Sequence, residues 1–137
     1  MTEQHHKIGI FLVDDDPDTL ALVELILKKR GYEIVTAKDG EEAIMRLTTD
    51  HFDLIISDVD MPRLDGMRLL ELLRMNAVKT PLIFLTANTS ASDEEQARAN
   101  GALDYIHKPV KKEVLADRVM AVLADIDKNN TKGEKHE

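Results

Sequence analysis

A chain of 137 residues with a formal net charge of -8 and no cysteine can bury about 68% of the surface that its unfolded form would expose, so one domain with a sizeable core is the simplest organisation. The missing cysteines exclude a disulfide framework, a thiolate metal site and a cysteine nucleophile, and the acidity gives no support for holding nucleic-acid phosphates, so no direct nucleic-acid partner is expected. The N-terminal stretch MTEQHHKIGI has no signal-peptide core and no apolar run reaches membrane-spanning length, which reads as a soluble, cytoplasmic protein without a membrane partner.

Residues 1–6 read as an N-terminal extension and 7–127 as the domain. Lys7 to Val13 is an apolar strand that ends in Asp14-Asp15-Asp16-Pro17. Asp16 suits the N-cap of a helix and Pro17 its first position, while Lys28-Lys29-Arg30 and Gly31 mark the other end. Leu20, Val23 and Leu27 form the core stripe of that helix, while Leu22 and Leu25 lie off it and either widen the buried face or remain partly exposed, with packing the expectation. Glu33 to Ala37 is a short strand, and Asp39 with Glu42 has capping-box spacing before a helix that turns Ala43, Ile44 and Leu47 inward.

Phe52 to Gly66, FDLIISDVDMPRLDG, organises the rest. Leu54-Ile55-Ile56 has no polar alternation and reads as a strand buried on both faces; it stops at Asp58, and Pro62 and Asp65-Gly66 mark a loop and a helix start. The third helix carries Met67, Leu69, Leu70, Leu72 and Leu73. Leu82 to Leu85 is another fully apolar strand, closed by Thr86 and a small polar loop. Ser92 and Glu95 have capping-box spacing, which predicts a fourth helix from about Asp93 to Ala99; its lack of large apolar residues makes it the least firmly held element. Ala102 to Ile106 is the last strand, reaching His107-Lys108-Pro109, and Leu115, Val119, Val122 and Ile126 stripe the final helix. Residues 128–137, KNNTKGEKHE, are polar enough to predict a disordered tail.

Five strand–helix repeats with apolar strands imply a parallel sheet covered by helices on both faces, whose strand C-termini share one edge. Asp14 and Asp15 follow the first strand, Asp58 the third, Thr86 the fourth and Lys108 the fifth. Two carboxylates about 4 Å apart repel by roughly 4 kcal/mol at an effective dielectric of 20, so acids clustered there need a cation or a shared proton. Oxygen donors without histidine or cysteine suit a hard cation such as magnesium. Lys108 and Thr86 can hold an anionic phosphoryl oxygen, and Asp58, alone at a central strand end, is the best-placed nucleophile.

Over residues 7 to 126 the sequence resembles the receiver domain of two-component response regulators. The acidic pair Asp14-Asp15, Asp58 followed by Val59-Asp60-Met61-Pro62-Arg63-Leu64-Asp65-Gly66, Thr86-Ala87 and Lys108-Pro109 carry the likeness. The resemblance implies a flavodoxin-like α/β fold, a five-stranded parallel sheet in the order 2-1-3-4-5. It implies that Asp58 accepts a phosphoryl group from a histidine kinase or histidine phosphotransfer protein. By the same resemblance, Asp15 binds Mg2+ directly and Asp14 mainly through water, with Asp58 and the backbone carbonyl of Asp60 as further ligands. Lys108 pairs with the phosphoryl group, Thr86 moves toward it, and the Tyr105 rotamer follows. The face made by the fourth helix, last strand and last helix then meets a downstream protein, as a monomer or as a phosphorylation-dependent dimer. The protein is on this reading a phosphoacceptor that assists its own chemistry, not an enzyme.

Asp60 and Asn88 match positions that tune phosphoryl lifetime in the family, and apolar residues on the first helix, Leu22 and Leu25 here, help dock a phosphodonor in it, although packing is the stronger reading. Asp16 and Asp39 read as caps only, and His5, His6, His51, His107 and His136 lack ligand spacing. Two other functions compete. Asp58-Val59-Asp60 superficially matches the Asp-x-Asp of haloacid-dehalogenase-type phosphohydrolases, but that leaves the first acidic pair unexplained; a pseudo-receiver scaffold usually lacks a key site residue, and none is missing.

Overall fold

The computed structural model describes residues 7–135, so the extension at 1–6 lies outside the described residues. The elements alternate without exception: β1 (Gly9–Val13), α1 (Pro17–Lys28), β2 (Glu33–Ala37), α2 (Gly40–Leu47), β3 (Leu54–Ser57), α3 (Gly66–Met75), β4 (Leu82–Thr86), α4 (Ala91–Ala99), β5 (Asp104–His107) and α5 (Lys112–Lys135). All four strand pairs are parallel and the sheet order is β2-β1-β3-β4-β5. The α/β class and the order 2-1-3-4-5 are therefore as expected, and the order reverses where β1 lies between β2 and β3.

Period-two alternation divides the core into two layers. Phe11, Ile55, Phe84 and Tyr105 face one way and pack with Ala43 and Leu47 of α2, Leu69, Leu70 and Leu73 of α3, and Ala97 of α4. Ile10, Leu12, Leu54, Ile56, Ile83, Leu85 and Ile106 face the other way, onto Val23, Ile26 and Leu27 of α1 and Leu115, Val119 and Val122 of α5. The central strands are apolar throughout because both faces are covered.

Helix starts follow the expected chemistry with informative departures. Asp16 caps α1 by accepting from the Asp18 amide at 3.1 Å and the Thr19 hydroxyl at 2.8 Å. Asp39 accepts from the Glu42 amide at 2.8 Å, but Glu42 reaches back to the amide of Lys38 rather than that of Asp39. The cap of α4 is Ser90, not Ser92: the Ser90 hydroxyl accepts from the Asp93 amide at 3.2 Å, and the helix starts two residues before the predicted Asp93. The Asn88 side chain holds the Ser90 amide at 2.8 Å and turns the chain there.

Leu22 and Leu25 do not join the core; they are 44% and 54% exposed, and Ile26 is buried instead. The stripe centred on Val23 and Leu27 faces the sheet, and at 100° per residue Leu25 lies on the far side of the helix. The predicted tail also differs. Helix α5 runs on to Lys135, with no proline to stop it after Ile126, so 128–135 continue the helix.

Two close approaches fix the loop after β3. A Cβ on Gly40 would meet the carbonyl of Leu64 at 2.5 Å, and one on Gly66 would meet the carbonyl of Asp58 at 2.1 Å and the ring of Phe84 at 2.8 Å. Gly66→Ala is accordingly expected to lower unfolding stability by about 1–3 kcal/mol through overpacking; a urea midpoint equal to that of the parent would refute this packing of α3 on β3.

Candidate functional site

The sheet positions each charged residue by extending its own ladder one step. The Asp14 amide donates to the Ala37 carbonyl at 3.2 Å, the Asp58 amide to Val13 at 3.0 Å, and the Lys108 amide to Thr86 at 2.8 Å. Three chain segments distant in sequence thereby end side by side at the C-terminal edge, beside the reversal in strand order. The Lys108–Pro109 peptide is cis.

Among the described residues, the buried polar or charged side chains are Asp14, Ser57, Asp58 and Thr86, all at this edge. Asp14 is 3% and Asp58 7% exposed, while Asp15 is exposed. One carboxylate oxygen from each of Asp14, Asp15 and Asp58 lies within 4.8 Å of the others. The Lys108 ammonium donates to Asp14 Oδ2 at 2.9 Å and to Asp58 Oδ2 at 3.1 Å. The remaining oxygens are also occupied, Asp14 Oδ1 by the Asp16 amide at 2.9 Å and Asp58 Oδ1 by the Asp60 amide at 3.2 Å.

Burial pushes the Asp14 carboxyl up, against the opposing pull of the Asp16 amide and Lys108. Burial by itself would lower Lys108, but hydrogen bonding to Asp14 and the nearby charges of Asp14 and Asp58 outweigh it and raise the ammonium above its ordinary value. The lysine is therefore held charged, and the acids are held together by it. The cluster offers oxygen donors only, with one exposed acid facing solvent, a set that suits a hard divalent cation better than zinc or copper.

Thr86 is fully buried, and its hydroxyl oxygen accepts the Asn88 amide at 3.2 Å. Tyr105 is buried as well, with its ring edge-on to Phe84 and its hydroxyl donating to the Asn88 carbonyl at 3.2 Å. The Asp60 side chain is exposed and outside the trio. The sequence-predicted Asp14, Asp15, Asp58 and Lys108 thus meet at one place. Thr86 ends the neighbouring strand, and Tyr105 reaches the loop that follows it. One contributor was missed: Ser57 donates its hydroxyl to the Asp58 carbonyl at 2.8 Å, which no spacing rule announces. Asn88 was singled out through the resemblance as a position that tunes phosphoryl lifetime, but not as the partner of four groups.

His51 lies 3.8 Å from Asp53 and His107 3.7 Å from Glu94, each as a surface pair. His5, His6 and His136 lie outside the described residues.

A doubly wound domain with acids and a lysine converging at the switch in strand order defines a class of α/β proteins whose sites form at that edge. The model of the response regulator receiver domain matches residues 10–120, and the chain belongs to that family. It is 37% identical over 114 residues to the alkaline phosphatase synthesis transcriptional regulatory protein PhoP of Bacillus subtilis, covering 83% of this chain and 48% of that protein. It is 39% identical over 111 residues to the transcriptional regulatory protein GlrR of Escherichia coli, covering 81% of this chain and 25% of that protein. The chain therefore spans about half or less of these relatives. Among solved structures, the chemotaxis protein CheY4 of Vibrio cholerae superposes with a TM-score of 0.80 at 34% identity, covering 85% of this chain and 99% of that one. A receiver domain from Methanospirillum hungatei gives a TM-score of 0.86 at 27% identity, covering 90% and 99%. No helix among the described residues is long and apolar enough to cross a membrane.

Lys108→Met removes the cation that opposes burial at Asp14. The Asp14 carboxyl is then expected to titrate higher than in the parent, read from its side-chain carbon shift by NMR; an unmoved titration would show that Lys108 does not set the charge balance of the site.

Proposed function

We propose that the chain is a phosphorylation-operated switch in which Asp58 accepts a phosphoryl group from a histidine kinase or histidine phosphotransfer protein. The observation that carries this reading is the single ammonium of Lys108 bridging two buried carboxylates, Asp14 and Asp58, at the strand-order switch. An Asp58 carboxylate oxygen forms a bond to phosphorus as the phosphorus–nitrogen bond of the donor histidine breaks, and the imidazole nitrogen takes up a proton. Hydrolysis returns the carboxylate and inorganic phosphate. The protein is thus a phosphoacceptor that assists its own chemistry.

The donor set fits magnesium. Asp15 would hold it directly and Asp14 chiefly through water, with Asp58 and the backbone carbonyl of Asp60 completing the protein ligands. When bound, the ion supplies neutralising charge to the transferring phosphoryl group. Lys108 exchanges one of its carboxylate contacts for a phosphoryl oxygen, Thr86 donates its hydroxyl to another, and Tyr105 follows the change. The altered face of α4, β5 and α5 meets a protein partner, as a monomer or as a phosphorylation-dependent dimer.

Family membership supports an upstream kinase and a downstream effector. Several relatives are transcriptional regulatory proteins by name, so the absence of a nucleic-acid partner extends no further than the acidity of this chain. A cytoplasmic location fits the same signalling reading. The phosphohydrolase alternative gains no support, because the exposed Asp60 side chain stands outside the acidic trio.

Incubation with a small-molecule phosphodonor is expected to add one phosphoryl group by intact mass, only with magnesium present and not in Asp58→Ala. A folded parent that gains no mass would overturn the proposal, and repeated turnover of a phosphate ester would favour the phosphohydrolase.

A further inference from the structure

Asn88 hydrogen-bonds through all four of its polar groups, and they join three elements. Its amide donates to Thr86 Oγ1 at 3.2 Å at the end of β4, and its carbonyl accepts the Tyr105 hydroxyl of β5 at 3.2 Å. Its side-chain oxygen accepts the amide of Ser90, the α4 cap, at 2.8 Å, while Nδ2 donates to Asp93 Oδ2 in the first turn of α4 at 2.8 Å. Those two partners settle which way the amide points, because an N–H needs an acceptor and a carboxylate needs a donor.

Little else fixes that helix. Ala97 is its one buried residue. Its ion pairs to β5, Arg98 to Asp104 at 3.5 Å and Glu94 to His107 at 3.7 Å, are long and lie at the surface, where such pairs contribute little. Asparagine is also the side chain this place requires: aspartate would set a second carboxylate against Asp93, and alanine would leave both the Ser90 amide and Asp93 without their partner.

We infer that Asn88 is the positioning residue that couples Thr86 to α4 and Tyr105, its backbone following the Thr86 hydroxyl while its side chain carries the helix cap. The inference rests on the reading of Asp58 as phosphoacceptor only for what sets Thr86 in motion. A displacement of Thr86 toward the site changes the residue that simultaneously holds the Tyr105 hydroxyl and the start of α4, so both respond together.

The full chain is tested first without phosphodonor. Asn88→Ala is expected to speed exchange of the first-turn amides of α4 roughly fivefold to tenfold, and to shift the Tyr105 ring resonances, with β1 and β3 amides unchanged. Asn88→Asp alone should loosen α4 as well, whereas Asn88→Asp combined with Asp93→Asn restores the bond with its polarity reversed and should return exchange toward the parent. With acetyl phosphate and magnesium, the Tyr105 and α4 signals of the parent should change to the same extent, and in Asn88→Ala they should separate. Unaltered α4 exchange in folded Asn88→Ala, failure of the paired exchange to restore protection, or joint signals in the phosphorylated variant would each overturn the coupling. A parent that takes no phosphoryl group would instead sink the reading of Asp58, and the arm without phosphodonor would still decide the role of Asn88.

Discussion

One ammonium holding two buried carboxylates is the constraint on which the rest of this structure depends. Asp14 and Asp58 are both almost fully removed from solvent, and like charges at such spacing repel strongly in a medium less polar than water. Lys108 reaches both at hydrogen-bond distance, and the backbone of each of the three residues is fixed by one further rung of the parallel ladder. The sheet thus serves the site in a direct sense: β1 lies between β2 and β3, and that order brings the ends of β1 and β3 together at an open edge. A pairing that consumes the lysine also stores a response, since any new anion arriving between these residues competes for its contacts.

The two layers of the core differ in what they can give. On one side α1 and α5 bury large aliphatic side chains against Ile10, Leu12, Leu54, Ile56, Ile83 and Leu85 of the sheet. On the other, α2 and α3 are anchored by leucines, whereas α4 contributes a single alanine. Burial of large side chains stabilises by about 1.5–3 kcal/mol each, so the deficit leaves α4 dependent on polar contacts from Asn88 and on surface ion pairs. Local stability is unequal by construction, and the weakest helix is the one adjoining Thr86 and Tyr105.

Much of this was legible in the sequence because the signals were redundant. Runs such as Leu54-Ile55-Ile56 and Leu82 to Leu85 declare strands covered on both faces, and the residue after each run is placed at the sheet edge by the class of fold alone. Asp14, Asp15, Asp58 and Lys108 could therefore be grouped before any distance was known. Where two local signals competed, sequence was less decisive. Ser90 and Ser92 are both candidate caps near the start of α4, and Ser90 is the one that caps it, its amide held by the Asn88 side chain, a partner that pattern reading does not weigh. Leu22 and Leu25 are apolar but sit around the helix from the stripe, and apolar character alone does not bury a residue. The continuation of α5 to Lys135 shows the converse, a polar segment that remains helical because nothing in it forces a stop.

The first residue of α3 stands against the backbone of Asp58: Gly66 leaves no room for even one added carbon beside the Asp58 carbonyl, and its amide is tied to Val59 at 2.7 Å. Asp58 is thereby clamped from behind, with a rigid wall on the α3 side and a thinly anchored helix on the β4 side. The difference in size between a glycine and an alanine thus leaves the two flanks of Asp58 unequal in stiffness, close-packed toward α3 and sparsely packed toward α4.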